Sequence, residues 1–324
     1  MAARNGSTVQ LIDVLQSVIA RVREGRRVAL CAIVATRGST PLPAGTLVSV
    51  DDAAHMTGSL GGGCVEADFR RRAHQQICRG GSELVRVQLD HDFGYDDGMI
   101  CGGTMDVAIQ VFLRPEDAAA LREVVARLKE RKAAELPIGV ATQQGVCEYR
   151  VLLEAQPRLF IAGGGHLGLE LARLMALLEF SVTVVDDREA YANPQRFPPP
   201  IEPVVGDIAE ALRRASLGSD SFVAIVTRGH KHDEAALRAV IGSSARYIGM
   251  IGSRRKIKVI LDDLRAEGVA ESLLEHVHAP IGLDIGAVSA EEIAVSIAAE
   301  LVAVRRGNRQ SGVVGPNCPA EARP

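Results

Sequence analysis

Leu159-Phe160-Ile161-Ala162-Gly163-Gly164-Gly165-His166-Leu167-Gly168 decides the fold of the C-terminal half of this chain. A short apolar strand pattern runs into a glycine cluster, and the cluster opens a helical pattern. Gly163, Gly165 and Gly168 fit G-x-G-x-x-G, and Asp186 closes the next strand pattern 23 residues after Gly163. Between a strand and a helix, such glycines permit a tight turn and a close approach of pyrophosphate, while an acid at that distance is placed for ribose hydroxyls. The segment predicts a nucleotide or pyrophosphate site; a vacant site on the same scaffold is the bland alternative. His166 fits a phosphate contact and a helix cap equally well.

Outward from this stretch the pattern continues as a regular alternation. Ser181–Asp186, Val204–Val205, Phe222–Val226 and Tyr247–Ile251 read as short apolar strands, mostly separated by helical stretches. That alternation predicts a doubly wound parallel sheet of Rossmann type. Ser289 and Glu292 form a capping-box pair that starts a last helix, with Ile293, Ile297, Leu301 and Val304 on one stripe. Pro157 marks a seam. Before it, a helical stripe (Leu11, Val14, Leu15, Val18, Val22) precedes strand patterns at Val28–Val34, Leu47–Val50, Leu84–Leu89 and Met105–Phe112. A helix over Glu116–Arg131 follows, opened by Pro115, and then a closing hairpin over Ile138–Thr142 and Val146–Leu153. The fold class is therefore α/β: an N-terminal mixed α+β domain over 1–156, with a mostly antiparallel sheet, and a Rossmann-like domain over 157–307. The Gly-, Asn-, Pro- and Ser-rich residues 308–324 read as a disordered tail.

The first half carries its own dense signal, Gly58-Ser59-Leu60-Gly61-Gly62-Gly63-Cys64-Val65-Glu66, directly before a helical run. Cys101-Gly102-Gly103 repeats the pairing of thiol and bare backbone. Glycines let backbone approach a ligand, and a helix N-terminus favours an anion or a thiolate. With no packing motive evident for these glycines, Gly61, Gly62, Gly63, Cys64, Cys101, Gly102 and Gly103 read as a pocket for something anionic, sulfur-seeking or both. Glu66 acts on that ligand or simply favours the helix start. Cys31, Cys78 and Cys147 read as packing residues, and Cys318 falls in the tail.

Two further loops follow strands at the edge where open α/β sheets bind ligands. Thr227-Arg228-Gly229-His230-Lys231-His232-Asp233 reads mainly as a polar loop at a helix start, though His230 and His232 have metal-compatible spacing without an evident third ligand. Gly252-Ser253-Arg254-Arg255-Lys256 reads as a phosphate partner through Arg254 or as a solvated helix start.

Composition narrows the classes. The chain has 324 residues, 47% hydrophobic and 24% charged, which suits two globular domains. A net charge of −3, 3% aromatics and no Trp disfavour nucleic acid. Six cysteines with no CxxC argue against a disulfide framework and a zinc ribbon. No signal-peptide or membrane-spanning pattern is present, so a cytoplasmic protein with reduced thiols is expected.

These motifs together resemble the XdhC/CoxI family, accessory factors of xanthine dehydrogenase and related molybdenum hydroxylases. The likeness runs through Gly58–Glu66, Cys101–Gly103, Gly163–Gly168, Val184–Arg188, Tyr191–Asn193, Arg196–Pro198, Tyr247–Lys256, Pro280–Gly286 and the helix carrying Glu300. The resemblance implies a chaperone rather than an enzyme. It would bind the molybdenum cofactor (molybdopterin or its dinucleotide form), protect its sulfido ligand, and deliver it to a xanthine dehydrogenase-type hydroxylase. A cysteine desulfurase-type sulfur donor and a homo-oligomer are the expected partners, and Cys64 and Cys101 the expected molybdenum or sulfido contacts. The competing reading, an NAD(P)-dependent oxidoreductase, rests on the G-x-G-x-x-G and Asp186 alone; no residue constellation suited to hydride chemistry accompanies them.

Overall fold

The structure is a computed structural model in which residues 8–59, 63–88, 103–142, 145–307 and 312–318 are described. It divides into two compact units, Met1–Ala155 with Arg309–Pro324, and Gln156–Asn308.

The first unit comprises α1 (Thr8–Arg23), β1 (Val28–Arg37), β2 (Leu47–Asp51), β3 (Met56–Thr57), α2 (Gly63–Arg79), β4 (Ser82–Gln88), β5 (Thr104–Phe112), α3 (Ala119–Lys129), β6 (Ala134–Thr142) and β7 (Gly145–Leu153). Its main sheet has the order β3-β2-β1-β5-β4, with every pairing antiparallel. The central strand β1 shows why. Val28, Leu30, Ala32 and Val34 join the cluster containing α1 and α3. Ala29, Cys31 and Ile33 join the opposite cluster, where α2 buries Phe69, Ala73 and Ile77. A strand apolar on both faces must be covered on both. Phe69 is fully buried, so Phe69→Ala would strip this face at a cost of about 3–5 kcal/mol. Pro115 opens a short 3-10 turn, Pro115–Ala118, that leads into α3.

The hairpin of β6 and β7 forms a separate sheet with a strand from beyond the second unit, β14 (Val313–Asn317). The disordered tail expected from composition is corrected over 312–318: Val313 is buried, and Leu152 N–H donates to Gly312 O at 2.8 Å, while 308–311 and 319–324 lie outside the described residues. Cys147 and Cys318 are disulfide-bonded with Cα atoms 4.4 Å apart, which corrects the expectation of reduced thiols without crosslinks. Cys31 is buried and its thiol pushed up to about 12 by burial, the behaviour of a packing residue. Cys78, expected to pack, is exposed.

The second unit comprises β8 (Arg158–Ala162), α4 (His166–Leu177), β9 (Ser181–Asp186), β10 (Glu202–Val205), α5 (Ile208–Arg214), β11 (Ser221–Ile225), α6 (His230–Val240), β12 (Tyr247–Met250), α7 (Arg254–Ala266), α8 (Glu271–Leu274), β13 (Val277–His278) and α9 (Ala290–Gly307). The order β10-β9-β8-β11-β12-β13 is all parallel. The chain thus lays strands outward one way from β8, then returns and lays them the other way, leaving a switch point between β8 and β11. Leu159 and Ile161 face one helical layer, Phe160 and Ala162 the other. Among the described residues no helix is long and apolar enough to cross a membrane.

The disulfide ties the strand that closes the first unit to its hairpin. Cys318→Ser is expected to lower that unit's stability by about 2–4 kcal/mol under non-reducing conditions. A melting shift between reducing and non-reducing buffer should be present in the wild type and absent in the variant.

Candidate functional site

The loop after β8 assigns its glycines distinct tasks. Gly163 has φ +113°, and a Cβ there would lie 2.6 Å from Val226 O at the end of β11. A Cβ on Gly168 would lie 2.0 Å from Gly163 O, so its absence lets α4 sit down on the turn. Gly165, the N-cap of α4, has nothing within 4 Å of a built Cβ. The first glycine therefore makes the turn, the third makes the packing, and the second leaves an open face at the N-terminus of a twelve-residue helix. Gly164, at a position the motif leaves free, is as tight as any of them. A Cβ would meet Tyr191 O at 2.0 Å, because the segment following β9 folds over it.

Asp186 is where expectation and structure part. Placed for a ribose, it is instead almost wholly buried and committed to protein donors. Gly164 N–H donates to Oδ2 at 2.9 Å, and the Arg188 backbone N–H donates to Oδ1 at 3.1 Å. The Arg188 guanidinium adds Nε to Oδ1 at 2.8 Å and Nη2 to Oδ2 at 3.0 Å. Burial alone would raise the Asp186 carboxyl, but Arg188 and the Gly164 N–H outweigh it and hold the group below the usual carboxylate range. Arg188 lies over the Tyr191 ring, 3.7 Å from its centroid. Arg196 donates Nε to Gly164 O at 3.0 Å, and its Nη2 is buried with no hydrogen-bond partner.

The neighbouring loops are similarly internal. Thr227 Oγ1 donates to Oδ1 of the buried Asp233 at 2.6 Å, and Lys256 pairs with the other oxygen. This joins the β11–α6 turn to the β12–α7 turn, so Lys256 is not the free cation a phosphate partner would be. Ser253 N-caps α7 by accepting from Lys256 N–H at 3.3 Å, while Arg254 is exposed. His230 is exposed in the first turn of α6, 3.9 Å from Glu234, and no group of potential metal ligands forms among the described residues. His166 is exposed at the first residue of α4.

A second cluster in this unit has no counterpart among the predicted site residues. Glu300 accepts from Tyr247 Oη at 2.5 Å and from Gly282 N–H at 2.7 Å. His278 Nδ1 lies 2.9 Å from its other oxygen. Tyr247 and His278 are packed ring to ring with centroids 4.4 Å apart. Burial raises the Tyr247 hydroxyl pKa, and the adjacent Glu300 carboxylate raises it further. The sequence signal was slight: an acid between Ile297 and Leu301 on an otherwise apolar helix stripe.

In the first unit, Gly61, Gly62, Cys101 and Gly102 lie outside the described residues. Gly63 and Cys64 are the first two residues of α2, and Ser59 Oγ donates to Glu66 Oε2 at 2.9 Å, tying the loop before the helix to its first turn. Gly103 does have a packing motive: a Cβ there would lie 2.2 Å from Ser39 O. So does Gly58 (φ +93°), 3.0 Å from Leu47 O. The premise that these glycines serve only a ligand is corrected for those two positions.

Family models decide the relationship. Residues 159–301 match the XdhC Rossmann domain, and residues 21–88 match the XdhC and CoxI family. The chain belongs to the XdhC/CoxI family. Relatives include the uncharacterized protein YqeB of Escherichia coli K12, 28% identical over 90% of this chain; the chain spans only 46% of YqeB's length. A Bacillus subtilis 168 protein described as a probable xanthine dehydrogenase subunit is 24% identical over 89% of this chain and 96% of its own length. The molybdenum cofactor insertion chaperone PaoD of Escherichia coli K12 is 24% identical over 94% of this chain and 92% of PaoD. A crystal structure of a xanthine dehydrogenase (BH1974) from Bacillus halodurans shares the fold, with TM-score 0.76 and 22% identity over 94% of this chain and 97% of that one.

The glycine geometry separates variants sharply. Gly164→Ala and Gly168→Ala should each destabilise the second unit by about 1–3 kcal/mol or more through overpacking against backbone. Gly165→Ala should melt with the wild type, and equal melting of all three variants would contradict these assignments. Asp186 also predicts an acid limb. Its lowered folded pKa contributes stability that is present above the unfolded value and lost as pH falls below about 4. Asp186→Asn should be less stable at neutral pH and flatten that limb in pH-dependent unfolding.

Proposed function

We propose that this protein holds the molybdenum cofactor and assists its insertion into a molybdenum hydroxylase of xanthine dehydrogenase type. Membership of the family and the named role of PaoD support an accessory role. The observation that carries the reading is the open face at Gly165: a glycine with no structural neighbour, at a helix N-terminus, in a loop whose other glycines are all committed to packing. A phosphate-bearing cofactor fits there. Backbone N–H groups and the helix dipole face it, and Arg196 brings a buried, unpartnered donor to the same loop. Bound in this way, the cofactor would supply the molybdenum and sulfur chemistry that the target hydroxylase uses. The chain's own part is to bind and shield.

Cys64, in the first turn of α2, and Cys101 are the proposed soft ligands for molybdenum or its sulfido group, in keeping with the preference of thiolates for such centres. A cysteine desulfurase-type protein as sulfur donor, a cytoplasmic location and self-association complete the proposal. The oxidoreductase alternative loses support, because the acid it needs for ribose is already bonded to Gly164 and Arg188.

Purified protein incubated with free molybdenum cofactor and freed of excess should retain pterin, read as fluorescence after oxidation. Cys64→Ala or Cys101→Ala should lose most of it while melting normally. In cells lacking this protein, the served hydroxylase should accumulate without active cofactor; full hydroxylase activity there would defeat the proposal.

A further inference from the structure

The open face at Gly165 is flanked by two sides, and the structure treats them differently. On the phosphate side, the fingerprint is intact. On the side of β9, where a dinucleotide's ribose is ordinarily held by an acid, every position is taken by the chain itself. Both oxygens of Asp186 accept hydrogen bonds, from Gly164 N–H and from three donors of Arg188. The Tyr191 carbonyl rests where a Cβ of residue 164 would be. Arg188 in turn is pinned over the Tyr191 ring. A ribose diol entering here would have to displace a guanidinium from a buried carboxylate, exchanging a charge-assisted bidentate pair for two neutral donors, and the pair is the stronger. A 2′-phosphate fares no better. Arg188 is spent on Asp186, Arg228 is paired with Asp187 at 2.9 Å, and the two carboxylates repel the incoming charge.

We propose that this open face binds a phosphate or pyrophosphate group and excludes ribose, with Arg188 as the residue that sets the exclusion. Of a pterin cofactor it grips the phosphate and leaves any attached nucleoside unheld, and nicotinamide dinucleotides are not its ligands. The inference rests on the reading of the Gly165 face as a phosphate site.

Calorimetric titration of the full chain with inorganic pyrophosphate, ADP and NAD tests both layers. Pyrophosphate should bind, and Gly165→Leu, whose side chain would fill the open face, should abolish it. ADP and NAD should bind wild type no tighter than pyrophosphate. In Arg188→Ala, ADP should gain about tenfold over pyrophosphate as Asp186 is released. Arg188→Gln serves the same comparison should the alanine variant fail to fold. Absence of pyrophosphate binding, or its survival in Gly165→Leu, would overturn the phosphate site. ADP binding wild type about tenfold tighter than pyrophosphate, with the gain lost in Asp186→Asn, would overturn the exclusion and leave the phosphate site standing. No gain for ADP in a folded Arg188 variant would remove Arg188 from the role.

Discussion

Three backbone carbonyls occupy the space that side chains would need at the end of β8. Val226 O crowds Gly163, Tyr191 O crowds Gly164 and Gly163 O crowds Gly168. Each contact joins elements that the parallel sheet must bring together: β8 to β11 across the switch point, β8 to the segment beyond β9, and the turn to α4. The close approach of these backbones follows from the missing Cβ atoms, and the rest of the second unit is arranged around it. Because the turn is held by packing, its one open glycine is left to face outward without weakening the loop.

The polar groups of this unit are paired inward. Asp186 braces Gly164, Asp233 joins two adjacent turns through Thr227 and Lys256, and Glu300 gathers Tyr247, His278 and Gly282. Buried carboxylates are costly unless fully bonded, and these have their donors. These turns are rigid and pre-formed. A ligand met by such turns would lose little affinity to reordering on binding.

How much of this was visible in the residues differs from place to place. Leu159–Ala162, Ser181–Asp186 and Phe222–Val226 are short, uninterrupted apolar runs between helical stripes, and such runs are buried on both faces, so the parallel sheet was legible. The tight turn at Gly163 was legible too, since a G-x-G-x-x-G run between a strand and a helix calls for it; the separate packing task of Gly168 was not. The commitment of Asp186 was not. It depends on Arg188 folding back over a distance of two residues and on Tyr191 laying its carbonyl on Gly164, and no periodicity encodes either. The packing of Gly103 was hidden for a related reason: its neighbour, Ser39 O, is brought close only by the register of β1 against β5. Composition misled at the C-terminus, where Gly, Asn and Pro surround Val313 and Cys318 but do not prevent one strand from pairing with β7.

The crosslink between Cys147 and Cys318 spans 171 positions, and the whole Rossmann unit lies within that span. Backbone and disulfide therefore close a covalent ring that has this unit as one arc. Topologically the second unit is an insertion into the first rather than a bead following it. A single peptide cleavage on either side of it would open the ring without releasing either piece, and separation would require a second cut or a reductant.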